Sequence, residues 1–346
     1  MIDGLENALL DSRQLGLTEL RRVLLEVLDG SRAAGRLVSE QELKGRKVYR
    51  LAFEVAGQPR TLVVKRLDPT VARRNQLVAT RWLPAADMRQ TCPVLLGVAA
   101  ERTARCVWHV YEDLGDRRLD TAHPEPSRVE AAVSLIARLH VRFAEHPLLA
   151  ECRMHGHDLG MAFYTANIRD AIRGLEALQL PSVDPDAEQQ ALRDRLLRRL
   201  YTLLDEAPHR ARIMAEVGGP ETLVHGDLWP ENIRAVPTRN GVEIRLIDWD
   251  KVGVGPVTYD VSTFLYRFSA RERLWILDRY QEAVAPLGWR VTSTSDLSLL
   301  LETAEISRVA NRLIWPCIEA VHAQATWAFD SLAEMETWFD HIEPAL

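Results

Sequence analysis

The period of the hydrophobic positions changes along the chain. From residue 5 to residue 29, Leu5, Leu9, Leu10, Leu15, Leu17, Leu20, Val23, Leu24, Val27 and Leu28 recur at roughly helical spacing, interrupted by Gly16 and Gly30. This predicts one or two amphipathic helices whose apolar face packs on the part that follows or on another subunit. From Gly35 to Arg66 the pattern alternates instead. Arg36-Leu37-Val38, Lys47 to Val55 and Thr61 to Lys65 read as strands, with a turn at Ala56-Gly57-Gln58-Pro59, and together predict an antiparallel meander. A helix is expected over 71–83 and a further strand over Cys106–Tyr111, ended by the turn residues Glu112 to Asp116. Beyond that point helical periodicity dominates, over 129–140, 187–207, 271–286, 296–322 and 330–342, with a loop from Gly288 to Ser295.

One stretch of the helical part breaks its own pattern. Leu223-Val224-His225-Gly226-Asp227-Leu228-Trp229-Pro230-Glu231-Asn232-Ile233-Arg234 carries an acid and an amide in a segment where Gly226 and Pro230 exclude regular structure. After a turn-rich gap from Pro237 to Gly241, the alternating run Val242 to Ile247 delivers Asp248 at its end, within Leu246-Ile247-Asp248-Trp249-Asp250. Two carboxylates and an amide on neighbouring loops suit magnesium, which takes oxygen ligands and keeps waters and substrate phosphates. Alone, an Asp and an Asn at such spacing are more often turn caps.

Composition narrows the classes. The chain has 346 residues, 47% hydrophobic and 27% charged, enough for one large or two moderate folded units. A formal net charge of −6 gives no support for a nucleic-acid or anionic-membrane surface. Cys92, Cys106, Cys152 and Cys317 are widely spaced, which suggests buried thiols in a reducing compartment and neither zinc nor a disulfide framework. The absence of a basic, apolar leader and of any long apolar run predicts a soluble cytoplasmic protein.

With both motifs in order, His225-Gly226-Asp227-Leu228 through Asn232 and Ile247-Asp248-Trp249-Asp250, the chain resembles the aminoglycoside phosphotransferase and choline kinase group, relatives of the protein kinases. The resemblance covers roughly residues 35–330. It implies an α+β, bilobal protein-kinase-like fold with a small antiparallel-sheet N-lobe and a larger, mainly helical C-lobe. The expected division is a helical segment over 1–34, a nucleotide-binding lobe over 35–113, and a helical lobe with catalytic loop and acceptor site over 114–346.

The resemblance also implies roles. Asp227 would orient the acceptor hydroxyl, Asn232 and Asp248 would bind Mg2+, and His225 would shape the loop. Lys65, ending its strand, would contact the phosphates of ATP, with GTP the alternative. Glu112, Asp113 and Leu114 would form the hinge that offers peptide groups to the base. Asp260, in the stretch Gly253 to Ser262 that ends near Tyr-Asp, would brace the catalytic loop. Between the first two strands, Arg46 and Lys47 follow a single glycine, Gly45, and are candidate phosphate ligands, though solvated charge on a hairpin explains them at least as well.

The chain departs from the family at the partner of Lys65. The helix over 71–83 contains no acid; counted from Trp82-Leu83, Gln76 takes the place of the expected glutamate, leaving Lys65 to lean on Asp248. His140 reads as a packed core residue, and His155-Gly156-His157-Asp158 as a polar loop. Candidates for the acceptor are Asp250, Glu231 and Trp229, with Trp249, Glu302, Glu305 and Glu319 behind them; Trp315 and Trp327 read better as packing.

The function implied is ATP-dependent O-phosphorylation of a small hydroxylated molecule, such as an aminoglycoside, amino alcohol or sugar. Choline or ethanolamine is a close alternative acceptor, and a nucleotide-binding pseudokinase is the alternative of another class. No activation segment with a phosphosite lies between Asp248 and Asp260, which argues against a protein kinase.

Overall fold

The computed structural model describes residues 2–7, 9, 14–29, 34–239, 241–291, 293–342 and 345–346. Leu10 and Gly30, named above, and Thr292, within the expected loop from Gly288 to Ser295, lie outside the described residues. The chain forms two compact units, Met1–Leu119 with Glu231–Asp250, and Asp120–Pro230 with Lys251–Leu346. The second motif and its strands therefore group with the sheet, whereas sequence order alone keeps them with the helical part.

The first unit is built on a six-stranded sheet of order β1-β2-β3-β4-β6-β5. Its strands are β1 (Ile2–Asp3), β2 (Gly35–Lys44), β3 (Val48–Val55), β4 (Gln58–Leu67), β5 (Leu95–Ala100) and β6 (Val107–Glu112). The expected meander is β2-β3-β4, each pair antiparallel. Both of its turns have consecutive positive φ values, at Gly45-Arg46 and at Ala56-Gly57, the left-handed backbone that suits the right-handed twist of tight hairpins. Strand β3 alternates strictly, burying Tyr49, Leu51, Phe53 and Val55.

Helix α1 (Leu17–Val27) packs on β5 and buries Leu20, Val23 and Leu24 in the same cluster as Leu51, Val64 and Trp108. Each such leucine contributes about 1.5–3 kcal/mol, so the amphipathic start belongs to this core. A helical run follows β4, made of α2 (Pro69–Leu77), a π-helical turn Val78–Trp82, and the short α3 (Leu83–Ala85). The unit is completed by an antiparallel hairpin of β9 (Ile233–Thr238) and β10 (Gly241–Leu246).

The second unit is mainly helical. It comprises α4 (Pro126–Phe143), α5 (Leu149–His155), α6 (Met161–Glu176), α7 (Ala187–Asp205), α8 (Ala207–Val217), α9 (Thr258–Leu265), α10 (Ala270–Ala283), α11 (Thr294–Ala323) and α12 (Ala328–Asp340). Helix α11 packs against α6, α9 and α12. A small sheet, order β7-β11-β8, joins β7 (His157–Asp158), β8 (Glu221–Val224) and β11 (Gly253–Pro256). No helix among the described residues is long and apolar enough to cross a membrane. The four cysteines are free and buried.

Candidate active site

In the first unit, one face of strands β2, β3, β4 and β6, helix α2 and the segments flanking the β9–β10 hairpin surround a cleft of about 990 Å³. Lys65, Lys47, Glu112, Asp113, Leu114, Asn232 and Asp248 all line it, as do Glu231 and Asp250. Arg46 does not: its backbone amide donates to Glu42 at 2.9 Å within the tight turn, and Lys44 and Gly45 line the cleft in its stead.

Asn232 and Asp248 are brought to neighbouring segments by one backbone bond, from the Ile247 amide to the Asn232 carbonyl at 2.9 Å. Asp248 follows directly with φ of 67°, a left-handed conformation that costs a non-glycine residue about 1–2 kcal/mol. Surrounding contacts must over-determine such a residue, a pattern common at functional sites.

The Lys65 ammonium lies 2.5 Å from Asp248 Oδ1 and 2.8 Å from Asp250 Oδ1. Burial opposes its charge, but the two carboxylates outweigh that and raise its pKa above the ordinary lysine value. The exposed Lys44 adds a contact to the other Asp248 oxygen at 3.4 Å.

Lys65 makes no bond to Gln76 among the described residues; Asn75 is the residue that faces the cleft. Its amide donates to Asp250 Oδ1 at 2.9 Å and to the Val71 carbonyl at 3.0 Å, while Arg74 donates to the Asp250 carbonyl at 2.5 Å. The π turn at Val78–Trp82 explains the slip. Such a turn accommodates one extra residue, so ordinary helical counting back from Trp82 lands one position late.

Asp250, an acceptor candidate by sequence, is thus engaged with Lys65, Asn75 and Arg74. Trp249 is buried and donates to the Leu246 carbonyl at 3.0 Å, a packing role. Opposite Lys65 in register on β6 stands His109, fully buried, with Nδ1 2.8 Å from the Tyr111 hydroxyl. Burial and the Lys65 charge push His109 down to about 4, and burial holds the Tyr111 hydroxyl well above the usual phenol range. Neither residue stands out in the sequence.

In the second unit, β8 leads into His225-Gly226-Asp227. Strand β11 pairs with β8, and Gly226 (φ 79°) presses on the next segment so closely that an added Cβ would lie 2.0 Å from the Lys251 carbonyl oxygen. Asp260 on α9 is completely buried and accepts the backbone amides of His225 at 2.7 Å and Gly226 at 2.9 Å. Its third partner is His140 Nε2 at 3.3 Å, whose Nδ1 meets the Tyr280 hydroxyl at 2.6 Å.

Burial alone would raise the Asp260 pKa; the bond to His140, the charges of His140 and His225 and the His225 amide outweigh it and hold the carboxyl below its ordinary value. His140 is buried, as its helical position predicts, but it is part of this brace. His225 Nδ1 accepts the Asp227 amide at 3.3 Å, which leaves Asp227 half-exposed at the loop's tip.

The remaining acceptor candidates divide. Glu302 is buried and accepts from Ser298 at 2.8 Å and from the Ala345 amide at 3.2 Å. Glu305 is buried in an ion pair with Arg308. Trp315 and Trp327, expected to pack, are 59% and 45% exposed, because one lies on the outward side of α11 and the other caps α12. His155 and His157 belong to no metal-holding cluster of His, Cys, Asp and Glu among the described residues.

The family model described as the phosphotransferase enzyme family matches residues 46–293. The chain belongs to that family. It is therefore a phosphotransferase. No curated protein sequence matches it. Solved structures share its fold at low identity. A spectinomycin phosphotransferase in complex with ADP and spectinomycin is 12% identical, with a TM-score of 0.58, covering 94% of this chain and 97% of that one. The ethanolamine kinase of Plasmodium vivax is 13% identical, with a TM-score of 0.57 and coverage of 87% and 82%. Choline kinase LicA from Streptococcus pneumoniae is 13% identical, with a TM-score of 0.55 and coverage of 93% and 99%.

Proposed function

We propose that the protein transfers the γ-phosphoryl group of ATP, or of GTP, to a hydroxyl of a small molecule. The observation that carries this reading is the first unit's cleft, where Lys65, Asn232, Asp248 and the segment Glu112 to Leu114 line one space. Neighbours of the same fold include an ADP complex, and their names describe phosphorylation of an antibiotic, of ethanolamine and of choline.

The donor set suits Mg2+: Asn232 and Asp248 supply hard oxygen atoms, and cationic Lys65 and Lys44 already gather on Asp248. These two residues would hold the ion, which when bound neutralises phosphate charge. Lys65 would bind phosphate oxygens while Asp250 keeps its ammonium aligned. The peptide groups of Glu112, Asp113 and Leu114 would meet the base. Asp227 would accept the hydrogen bond of the acceptor hydroxyl and draw off its proton as the new O–P bond forms and the bond from the γ-phosphorus to its bridging oxygen breaks, releasing the nucleoside diphosphate. The missing acid on α2, which motivates a pseudokinase, is offset by Asp250.

Asp227→Ala tests the reading, since a positioned base contributes about 10²–10⁴-fold. Turnover should fall by that factor while nucleotide affinity, measured by calorimetry with and without Mg2+, stays close to wild type. Unchanged turnover would remove Asp227 from the chemistry.

A further inference from the structure

An aminoglycoside or a quaternary amine would need free carboxylates or an open aromatic face around Asp227. Neither Trp229 nor Glu305 offers one. Trp229, two residues on, donates its amide to the Asp227 carbonyl at 2.8 Å, and its ring is already covered by cations. The Arg267 guanidinium sits 3.4 Å from the ring centre and that of Arg312 4.8 Å, with Arg267 also 4.2 Å from the Trp338 ring.

The acid in this neighbourhood is already engaged. Glu305 is 1% exposed; it pairs with Arg308, lies 3.7 Å from Arg267 and accepts from Trp338 Nε1 at 3.2 Å. Arg312 is exposed and takes part in no ion pair among the described residues. It lies one helical turn beyond Arg308 on α11, and both arginines are within electrostatic reach of Asp227. A guanidinium stacked on an indole is held in place with its fork of N–H donors outward, which suits an oxyanion and repels an ammonium.

We infer that the acceptor carries an anionic group, carboxylate or phosphate, beside the hydroxyl that is phosphorylated, and that Arg312, stacked on Trp229 beside Arg267, binds it. This rests on the reading of Asp227 as the residue that meets the acceptor. An acceptor of this kind is a hydroxy acid or a phosphorylated alcohol.

The test compares alcohols of similar size and different charge: glycerate, glycerol 3-phosphate, glycerol and ethanolamine, with an aminoglycoside added. Two readouts are taken, acceleration of nucleotide turnover and direct binding to the protein by calorimetry. The expected result is preference for glycerate or glycerol 3-phosphate over glycerol and ethanolamine, the two anionic arms distinguishing carboxylate from phosphate. In Arg312→Gln that preference should shrink by tenfold or more through a higher acceptor KM or Kd, and Arg312→Lys should restore part of it. Thermal melting checks that both variants fold. Preference for the amines, equal response to all five, or an anion preference untouched by Arg312→Gln would overturn the inference. Anion binding with no nucleotide turnover under any condition would leave the site standing and count against the phosphotransfer reading instead.

Discussion

The Lys65 ammonium lies 2.8 Å from Asp250, a carboxylate that is itself held by the Asn75 amide at 2.9 Å. Lys65 thus has an anionic partner besides Asp248, and would keep it if Asp248 turned to the proposed metal ion. Asp250→Asn should raise the nucleotide KM about tenfold, equivalent to roughly 1.4 kcal/mol. Asn75→Ala should act in the same direction, more weakly, and Gln76→Ala should stay within about twofold of wild type by the same scale. Steady-state kinetics over a range of nucleotide concentrations separate the three; a larger effect at Gln76 than at Asn75 would refute the assignment.

His109 supplies a pH dependence. Its folded pKa, pushed down to about 4, lies below the 6.5 of an unfolded histidine. Between these values the unfolded chain binds more protons, so stability is full above pH 6.5 and falls as the solution is acidified toward pH 4. The loss approaches about 3 kcal/mol at the lower end. Denaturant unfolding at pH 7.5 and pH 5 should show a smaller difference for His109→Phe than for wild type. Asp260, with a depressed pKa, keeps its contribution above the ordinary aspartate value near 3.8 and loses it only at lower pH, outside this window.

Gly226→Ala should distort the loop that carries Asp227. The residue needs a positive φ, which costs alanine about 1–2 kcal/mol, and its new methyl group would meet the Lys251 carbonyl. A lower melting temperature together with a larger drop in kcat than in nucleotide affinity is expected. A variant with wild-type turnover would mean that the loop relaxes without consequence.

At Asp260, replacement by Asn keeps the shape but sets an NH2 group or a single oxygen against two backbone amides and His140. One buried polar group is then left unsatisfied, at about 1–3 kcal/mol. Chemical denaturation should register that loss, and kcat should fall more than nucleotide KM rises. If His140→Ala gives a similar split, the histidine acts through Asp260.

What could be read without coordinates was local. Asp227, Asn232 and Asp248 are marked by short loops that glycine, proline and a strand end impose within a few residues, and Lys65 by its place on an apolar strand, which runs on to Leu67. The β2–β4 meander and the long helices follow from periodicity in the same way. Strands β1 and β5 were not visible, one because it is two residues long and the other because Gly97 interrupts its alternation.

The sequence by itself determined the family, the order of strands and helices that carry the motifs, and the identity of the candidate metal and base residues, since each depends on neighbours a few bonds away. Only the tertiary structure decided that Asn75 faces Asp250 while Gln76 does not, because a π turn moves the helix by one residue. It also decided that Glu302 and Glu305 are committed to internal partners, and that Arg312 of α11 and Arg267, two residues beyond α9, cover Trp229. Those contacts join residues far apart in the chain, and whether a charge is spent or available depends on which partner the fold places against it.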